Sequence, residues 1–281
     1  MKKRYLFIAL FFSVAPELAA TIHTIDDITK ILRYIYKNVH DDVHEQLRTG
    51  TFLRGKGQLY EKNASDILIC FDIDETLLYP DQPKARDAWF NEHVARLTSS
   101  GISPEAAVKE TIIEQLVAHR KSDVCLADFD ATELIAALQQ QGIHVLALTA
   151  RSVAFVDITY RELAEIFIRF VQADDDWNRC YVLHNLPRPA YYTPGVIFCA
   201  GNDKGKTLEQ FLIRLSYRPK YIIMVDDTRK HVERLELMTS RLGIAYDGFV
   251  ITHKYHQRLP CVVMTDGTAP SGRRGIGAVN G

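Results

Sequence analysis

Four short apolar runs constrain this 281-residue chain more than any other feature: 67–71, 143–148, 196–199 and 221–225. Each is nearly continuous, which is the pattern of strands buried on both faces of a parallel sheet; a half-exposed strand would alternate. Helical periodicity fills the intervals, at 131–141, 154–171, 206–214 and 231–242. Strands alternating with helices predict an α/β chain, a Rossmann-like doubly wound parallel sheet. A further strand at 245–252 is expected to close one edge. Apolar residues at Ile25, Ile28, Leu32, Ile35, Val39 and Val43 predict an amphipathic helix over 25–44.

Composition narrows the class. With 47% hydrophobic and 25% charged residues, wholesale disorder, collagen-like and coiled-coil readings are excluded. A net charge of −1 leaves no broad basic surface for nucleic acid. The first residues stand apart from the fold. Lys2, Lys3 and Arg4 precede an apolar run over 5–15, and Leu18, Ala19 and Ala20 follow, the layout of a signal peptide cleaved after Ala20. The run is shorter than the ~20 residues that span a bilayer, so no membrane span is expected once residues 1–20 are removed. Removal takes the net charge from −1 to −3. The expected location is outside the cytoplasm, periplasmic or secreted. Five cysteines are too few and too scattered to be the scaffold; Cys70 and Cys199, inside apolar runs, read as buried thiols, and pairing stays open.

Between Leu78 and Leu126 the pattern turns to polar helical sequence containing Trp89, Phe90, Val94 and Leu97. The expected organisation is a core of 21–78 and 127–264, a helical cap inserted at 79–126, and a disordered Gly/Ser/Ala/Pro-rich tail at 265–281.

In an open α/β sheet, ligands bind beyond the carboxyl ends of the strands. Those ends read Asp72-Ile73-Asp74-Glu75-Thr76, then Thr149-Ala150-Arg151, then Asp203-Lys204-Gly205, then Asp226-Asp227. An acid pair, a hydroxyl, a lysine and a second acid pair, in that order, form a strong constellation. On these residues the chain resembles the haloacid dehalogenase-like (HAD) phosphatase superfamily over residues 65 to about 252. The DIDET spelling together with the signal peptide is similar to an exported branch of that superfamily. The resemblance implies a HAD-like core, a helical cap, Mg²⁺ as cofactor and a small phosphorylated substrate.

The chemistry of the residues points the same way. Phosphoryl transfer needs an in-line nucleophile, a cation to spread charge, and donors around the equatorial oxygens. Asp72 suits the nucleophile, forming an aspartyl-phosphate. Asp74 suits the group that protonates the leaving alcohol and then deprotonates water. Thr149, Ala150 and Lys204 would hold the phosphoryl group. Asp72, Asp226 and Asp227 supply hard oxygens for Mg²⁺, and the resemblance adds the backbone carbonyl of Asp74. The rival from another class is a catalytically silent phosphoryl-binding or host-directed interaction protein on the same fold.

Other matches carry less. A second DxDxT at Asp128, Asp130 and Thr132 lies only 21 residues before Thr149, too few for the turn and flap that follow the nucleophile. Asp130 with Glu133 reads instead as a helix capping box. The segment 200–207 fits a relaxed phosphate loop, but too little chain follows it for a nucleotide-binding domain, and Lys206 reads as a helix-surface charge beside the phosphate-facing Lys204. His40 and His44 have metalloprotease spacing without the Glu or a third ligand, and Asp174–Asp176 reads as a solvated loop. Arg86, Trp89, Phe90 and His93 share helical spacing and read as the cap's own packing. Arg151 is suited equally to substrate or to an internal carboxylate.

Overall fold

The computed structural model describes residues 20–31, 34, 52–55, 58–62, 64–171 and 174–252. The signal-peptide reading (1–20) apart from Ala20, the tail, His40 and His44 lie outside the described residues, as does most of the expected 25–44 helix. Twelve strands are described: β1 (Thr21–Ile25), β2 (Phe52–Gly55), β3 (Gln58–Lys62), β4 (Ile67–Phe71), β5 (Leu78–Pro80), β6 (Val124–Leu126), β7 (His144–Thr149), β8 (Tyr181–Leu183), β9 (Ala190–Thr193), β10 (Val196–Phe198), β11 (Tyr221–Asp226) and β12 (Ala245–Ile251). After β3 the α-helices among these residues are α1 (Asp87–Ser99), α2 (Pro104–Lys121), α3 (Ala131–Gln140), α4 (Val156–Glu165), α5 (Lys204–Arg214) and α6 (Arg229–Leu242).

Eight strands form the main sheet in the order β1-β12-β11-β4-β7-β10-β9-β8. From β1 to β10 neighbours run parallel, and β9 and β8 extend the sheet antiparallel. The chain is therefore α/β with a mostly parallel sheet. The apolar runs are continuous because alternate side chains feed two cores. Ile67, Ile69, Phe71, Val145, Ala147, Ile223 and Val225 pack with Leu134, Ile135 and Leu138 of α3 and Leu163 of α4. Leu68, Cys70, Leu146, Leu148, Ile222 and Met224 pack on the other face with Leu208 and Phe211 of α5 and Val232 and Leu235 of α6. Burying both faces of a strand removes far more apolar surface from water than burying one, and this is the main stabilisation of the sheet.

The sequence expectations need three corrections here. The strand at 245–252 is not an edge: β1 pairs outside β12, with Thr21 opposite Asp247 and Ile25 opposite Ile251. Ile25 accordingly lies in a strand; helix begins only at Thr29. The helix expected to run to 171 stops at Glu165, and Phe167 takes a left-handed φ of 58°. Ile166 and Ile168 are still buried, so the apolar period continued past the helix end and hid the turn.

Between β5 and β6, which pair antiparallel, α1 and α2 pack against each other. Ser103 caps α2 by accepting from the Ala106 amide at 3.3 Å, with Pro104 at the first helical position. Cys125 on β6 is in a disulfide, whereas Cys70, Cys180 and Cys199 are free.

Candidate active site

Register brings four strand ends side by side. Val225 pairs with Phe71, Phe71 with Ala147, and Phe198 with Thr149, so the residues that follow emerge along one edge of the parallel sheet. That edge carries Asp72, Asp74, Thr149, Asp226 and Asp227. Lys204 arrives from the fourth connection as the first residue of α5, whose N-cap Asp203 accepts from the Lys206 amide at 3.1 Å. Gly205 permits the approach: a Cβ there would stand 2.6 Å from the Arg234 carbonyl oxygen of α6.

Lys204 joins two of the ends. Its Nζ donates to Asp72 Oδ1 at 2.5 Å and to Asp226 Oδ2 at 2.7 Å, with Lys204 and Asp226 fully enclosed and Asp72 nearly so. Lys206 is exposed, so of the two lysines only Lys204 belongs to the site. Asp226 also accepts from the Thr228 amide at 2.9 Å and has His231 Nδ1 within 3.2 Å. Burial alone would raise its pKa, but Lys204 and His231 outweigh burial and hold it below the usual range. Asp72 has fewer donors. Burial, then Asp226, Asp74 and Asp227, push its pKa well up against the opposing pull of Lys204. Asp227 is pushed up to about 7 by burial beside Asp226 and Glu75.

Thr76 ties the two acid pairs together, its Oγ1 accepting from the Asp227 amide at 3.0 Å. Thr149 is buried; its Oγ1 accepts from the Arg151 amide at 3.1 Å, which leaves its own proton to donate. Ala150 lies exposed in the turn, its carbonyl accepting from the Gly201 amide at 2.9 Å.

Arg151 faces carboxylates of the protein. It grips Asp74 with two bonds, Nε to Oδ2 at 2.9 Å and Nη2 to Oδ1 at 2.7 Å. Its Nη1 reaches Glu162 Oε2 at 2.7 Å and Thr159 Oγ1 at 2.9 Å. Glu162, fully buried on α4, meets His119 Nδ1 at 2.7 Å, and His119 belongs to the last turn of α2. A buried chain thus runs from the inserted helices through Glu162 and Arg151 to Asp74. Burial would raise the Asp74 pKa, but the fork of Arg151 lowers it below the ordinary value. This bears on the acid role expected of Asp74, because a carboxylate held ionised by the clamp carries no proton to give and takes one up only weakly.

Several neighbours were not anticipated. Glu75 holds a left-handed φ of 58°, and its carboxylate accepts from the backbone amide of Asp87, the first residue of α1. Asp87 is pushed up to about 7 by burial, Asp74 and Glu75. His231 follows Asp226 by five residues, through a strand-to-helix turn that no spacing rule marks. Glu162 gives no local signal, since only the fold carries it to Arg151.

The second DxDxT lies elsewhere, and its capping reading needs correcting. The Asp130 side chain makes no cap bond; Asp128 does the tethering, with Oδ1 accepting from the Asp130 amide at 3.1 Å and Oδ2 from the Ile28 amide at 2.9 Å. Asp128 therefore pins the segment after β1 to the start of α3.

The donor set suits a hard divalent cation. Asp72, Asp226 and Asp227 bring carboxylate oxygens within 4.8 Å of one another. Among the described residues the one side-chain hydrogen bond to the Asp227 carboxylate is from Thr228 Oγ1 at 3.4 Å. With Asp72 and Asp227 both raised, Lys204 alone does not neutralise the cluster, and an oxygen-seeking ion such as Mg²⁺ fits it.

Relatives named "Putative outer membrane protein" are 28% identical over 201 residues in Chlamydia trachomatis serovar D, covering 69% of this chain and 75% of theirs. One in Chlamydia muridarum is 27% identical over 196 residues, covering 67% and 73%. Among solved structures, a haloacid dehalogenase-like family hydrolase from Streptococcus pneumoniae aligns at a TM-score of 0.39 with 13% identity, over 66% of this chain and 94% of that one. A HAD family hydrolase from Salmonella enterica serovar Typhi gives 0.34, again at 13%, over 65% and 67%. No helix of the described residues is long and apolar enough to cross a membrane. The family model described as "Protein of unknown function (DUF2608)" matches residues 51–263, and the chain belongs to that family.

Proposed function

We propose that this chain is a Mg²⁺-dependent phosphomonoester hydrolase of the HAD-like type, acting through an aspartyl-phosphate on Asp72. The observation that carries the reading is Lys204, one buried ammonium bridging Asp72 and Asp226 across two parallel strand ends, with the Thr149 hydroxyl on the next strand. Buried lysine and carboxylates at the open end of a parallel sheet are costly to fold, and a site for a charged reacting group accounts for them.

In the first step an Asp72 oxygen forms a bond to phosphorus as the ester P–O bond breaks. The leaving oxygen takes a proton, which Asp74 supplies only in the minority of molecules where it is protonated against the pull of Arg151. In the second step water attacks phosphorus, its proton passes to Asp74, and Asp72 and inorganic phosphate separate. Thr149 and Lys204 hold the equatorial oxygens, with Ala150 adding its backbone amide. Mg²⁺, held by Asp72, Asp226, Asp227 and the Asp74 carbonyl, would offset the charge of the phosphoryl oxygens. Because Arg151 keeps Asp74 ionised, no proton stands ready for the first step, which favours leaving groups that depart as stable anions, while in the second step Asp74 is free of a proton but a weakened base. The same clamp favours a second reading, a protein that binds a phosphoryl group and does not turn it over. The charged n-region, the apolar run and the names of the chlamydial relatives support export.

Hydrolysis of an aryl phosphate with and without Mg²⁺ tests the proposal. Turnover that needs Mg²⁺ and vanishes in Asp72→Asn supports the enzyme. Phosphate binding with no turnover in wild-type protein supports the second reading.

A further inference from the structure

The helix pair inserted between β5 and β6 carries a second constellation. His93 is buried between α1 and α2, with 7% of its surface exposed. Its Nδ1 receives Arg96 Nη2 at 3.1 Å. Its Nε2 is buried and makes no hydrogen bond, although Glu114 Oε1 stands 3.4 Å away. Glu110, one helical turn before Glu114 on the same face of α2, completes a set whose ligand atoms all lie within 4.8 Å of one another. A cavity of about 390 Å³ opens beside them, lined by Lys84, Trp89, Glu92, His93, Arg96 and Glu114.

A buried ring nitrogen without a partner is costly, and two converging carboxylates repel each other. One cation relieves both. Ligands at ~2.0–2.1 Å from a tetrahedral ion stand roughly 3.3–3.4 Å apart, and the Nε2–Oε1 separation matches that edge. One imidazole with two carboxylates favours Zn²⁺ or a similar transition metal over Mg²⁺, whose preference is for oxygen alone. The cavity leaves room for a water as a further ligand. We propose that His93, Glu110 and Glu114 form a Zn²⁺-type site that staples the two inserted helices.

The neighbouring cations set a condition. An arginine only donates, so in the metal-free protein Nδ1 accepts and the ring proton sits on Nε2. Binding through Nε2 moves that proton to Nδ1 and turns the exposed Arg96 side chain away. Lys84 pairs with Glu114 Oε2 at 3.0 Å, on the oxygen turned from His93, and leaves Oε1 for the metal.

The test is titration of chelator-treated full-length protein with Zn²⁺ and, separately, Co²⁺, in excess Mg²⁺, read by calorimetry and by the visible bands of Co²⁺. The proposal expects one equivalent that persists in Asp226→Asn and weakens at least ~10–100-fold in His93→Ala. Glu110→Gln changes an exposed residue, so it tests the site without unfolding the helix pair, and it should weaken binding as well. Arg96→Met removes the competing donor and should tighten binding. Zn²⁺ binding unchanged in both His93→Ala and Glu110→Gln, or lost only in Asp226→Asn, overturns the proposal. None of these readouts depends on phosphatase turnover.

Discussion

Replacing Arg151 by Met isolates what the clamp on Asp74 does. The side chain keeps its length and loses its charge, and four bonds go with it: two to Asp74 at 2.7 and 2.9 Å, one to Glu162 at 2.7 Å and one to Thr159 at 2.9 Å. Glu162 is fully buried and Asp74 mostly so, which leaves uncompensated charge in the interior. Breaking a buried pair in this way costs about 3–5 kcal/mol. For a domain of this size that is roughly 6–20 °C in melting temperature. The pH dependence has a definite sign. In the wild type the Asp74 pKa lies below its unfolded value of about 3.9, so its contribution is complete above that pH and is lost as pH falls through the lowered value. In the variant, burial is opposed only by the weaker pull of His119 and Lys204, and the Asp74 pKa is expected to rise above the unfolded value, so the variant loses stability as pH rises toward it. The gap between the two proteins should be widest at pH 7–8 and narrow toward pH 5.

Urea unfolding of Arg151→Met, Asp74→Asn and the double variant at both pH values measures this, and the cycle should return a coupling of roughly 1–3 kcal/mol. The chemistry moves with it. A larger protonated fraction of Asp74 favours the first step, so the ratio of alkyl to aryl phosphate kcat/KM should rise in Arg151→Met relative to wild type. A stability gap under about 1 kcal/mol, or one equal at pH 5 and pH 8, would refute the claim that Arg151 sets the ionisation of Asp74.

Asp72→Asn should abolish turnover and leave urea midpoints close to wild type, and residual activity within tenfold of wild type argues against Asp72 as nucleophile. Asp74→Asn should slow alkyl phosphate hydrolysis by ~10²–10⁴-fold. With an aryl phosphate it should accumulate a phosphorylated enzyme, visible by intact mass after quenching, and normal turnover without a trapped species would count against the acid–base role. Asp128→Ala should lose about 1–3 kcal/mol because the Ile28 amide is left unpaired, while Asp130→Ala should stay within ~0.5 kcal/mol. Thermal melts of the two compare them directly, and a larger loss for Asp130 would restore the capping reading.

The sheet was legible because its strands are buried on both faces, so each wrote itself as an unbroken apolar run: 67–71, 143–148, 196–199 and 221–225 all fall on observed strands to within about one residue. β1 was not legible. Of Thr21–Ile25 only Ile25 is buried, so the strand writes no apolar run, and the helical period that follows claimed Ile25. Cap chemistry set the start of α5, which begins at Lys204, directly after its Asp203 cap, and not at Lys206. The candidate residues at the strand ends were visible because a strand end is fixed in sequence and the residue after it is fixed in space.

What sequence spacing withholds is the partner of a charge. Arg151 follows Thr149 by two residues, and nothing nearby decides between a bound phosphate and an internal acid. The decision is made by Glu162, eleven residues on and one helical layer away, which reaches the guanidinium only after α4 has packed on the sheet. Once Glu162 takes Nη1, the two nitrogens that remain face Asp74 as a planar fork, and a carboxylate fits that fork in two bonds. His119 closes the other side of Glu162, so α2 of the inserted pair is joined to the same buried chain. A shift of the inserted helices that pulls His119 from Glu162 therefore changes the field at Arg151 and, through it, the proton affinity of Asp74. In this fold the ionisation of Asp74 is set by residues of three separate elements, α2, α4 and the turn after β7, and is a property of how they pack.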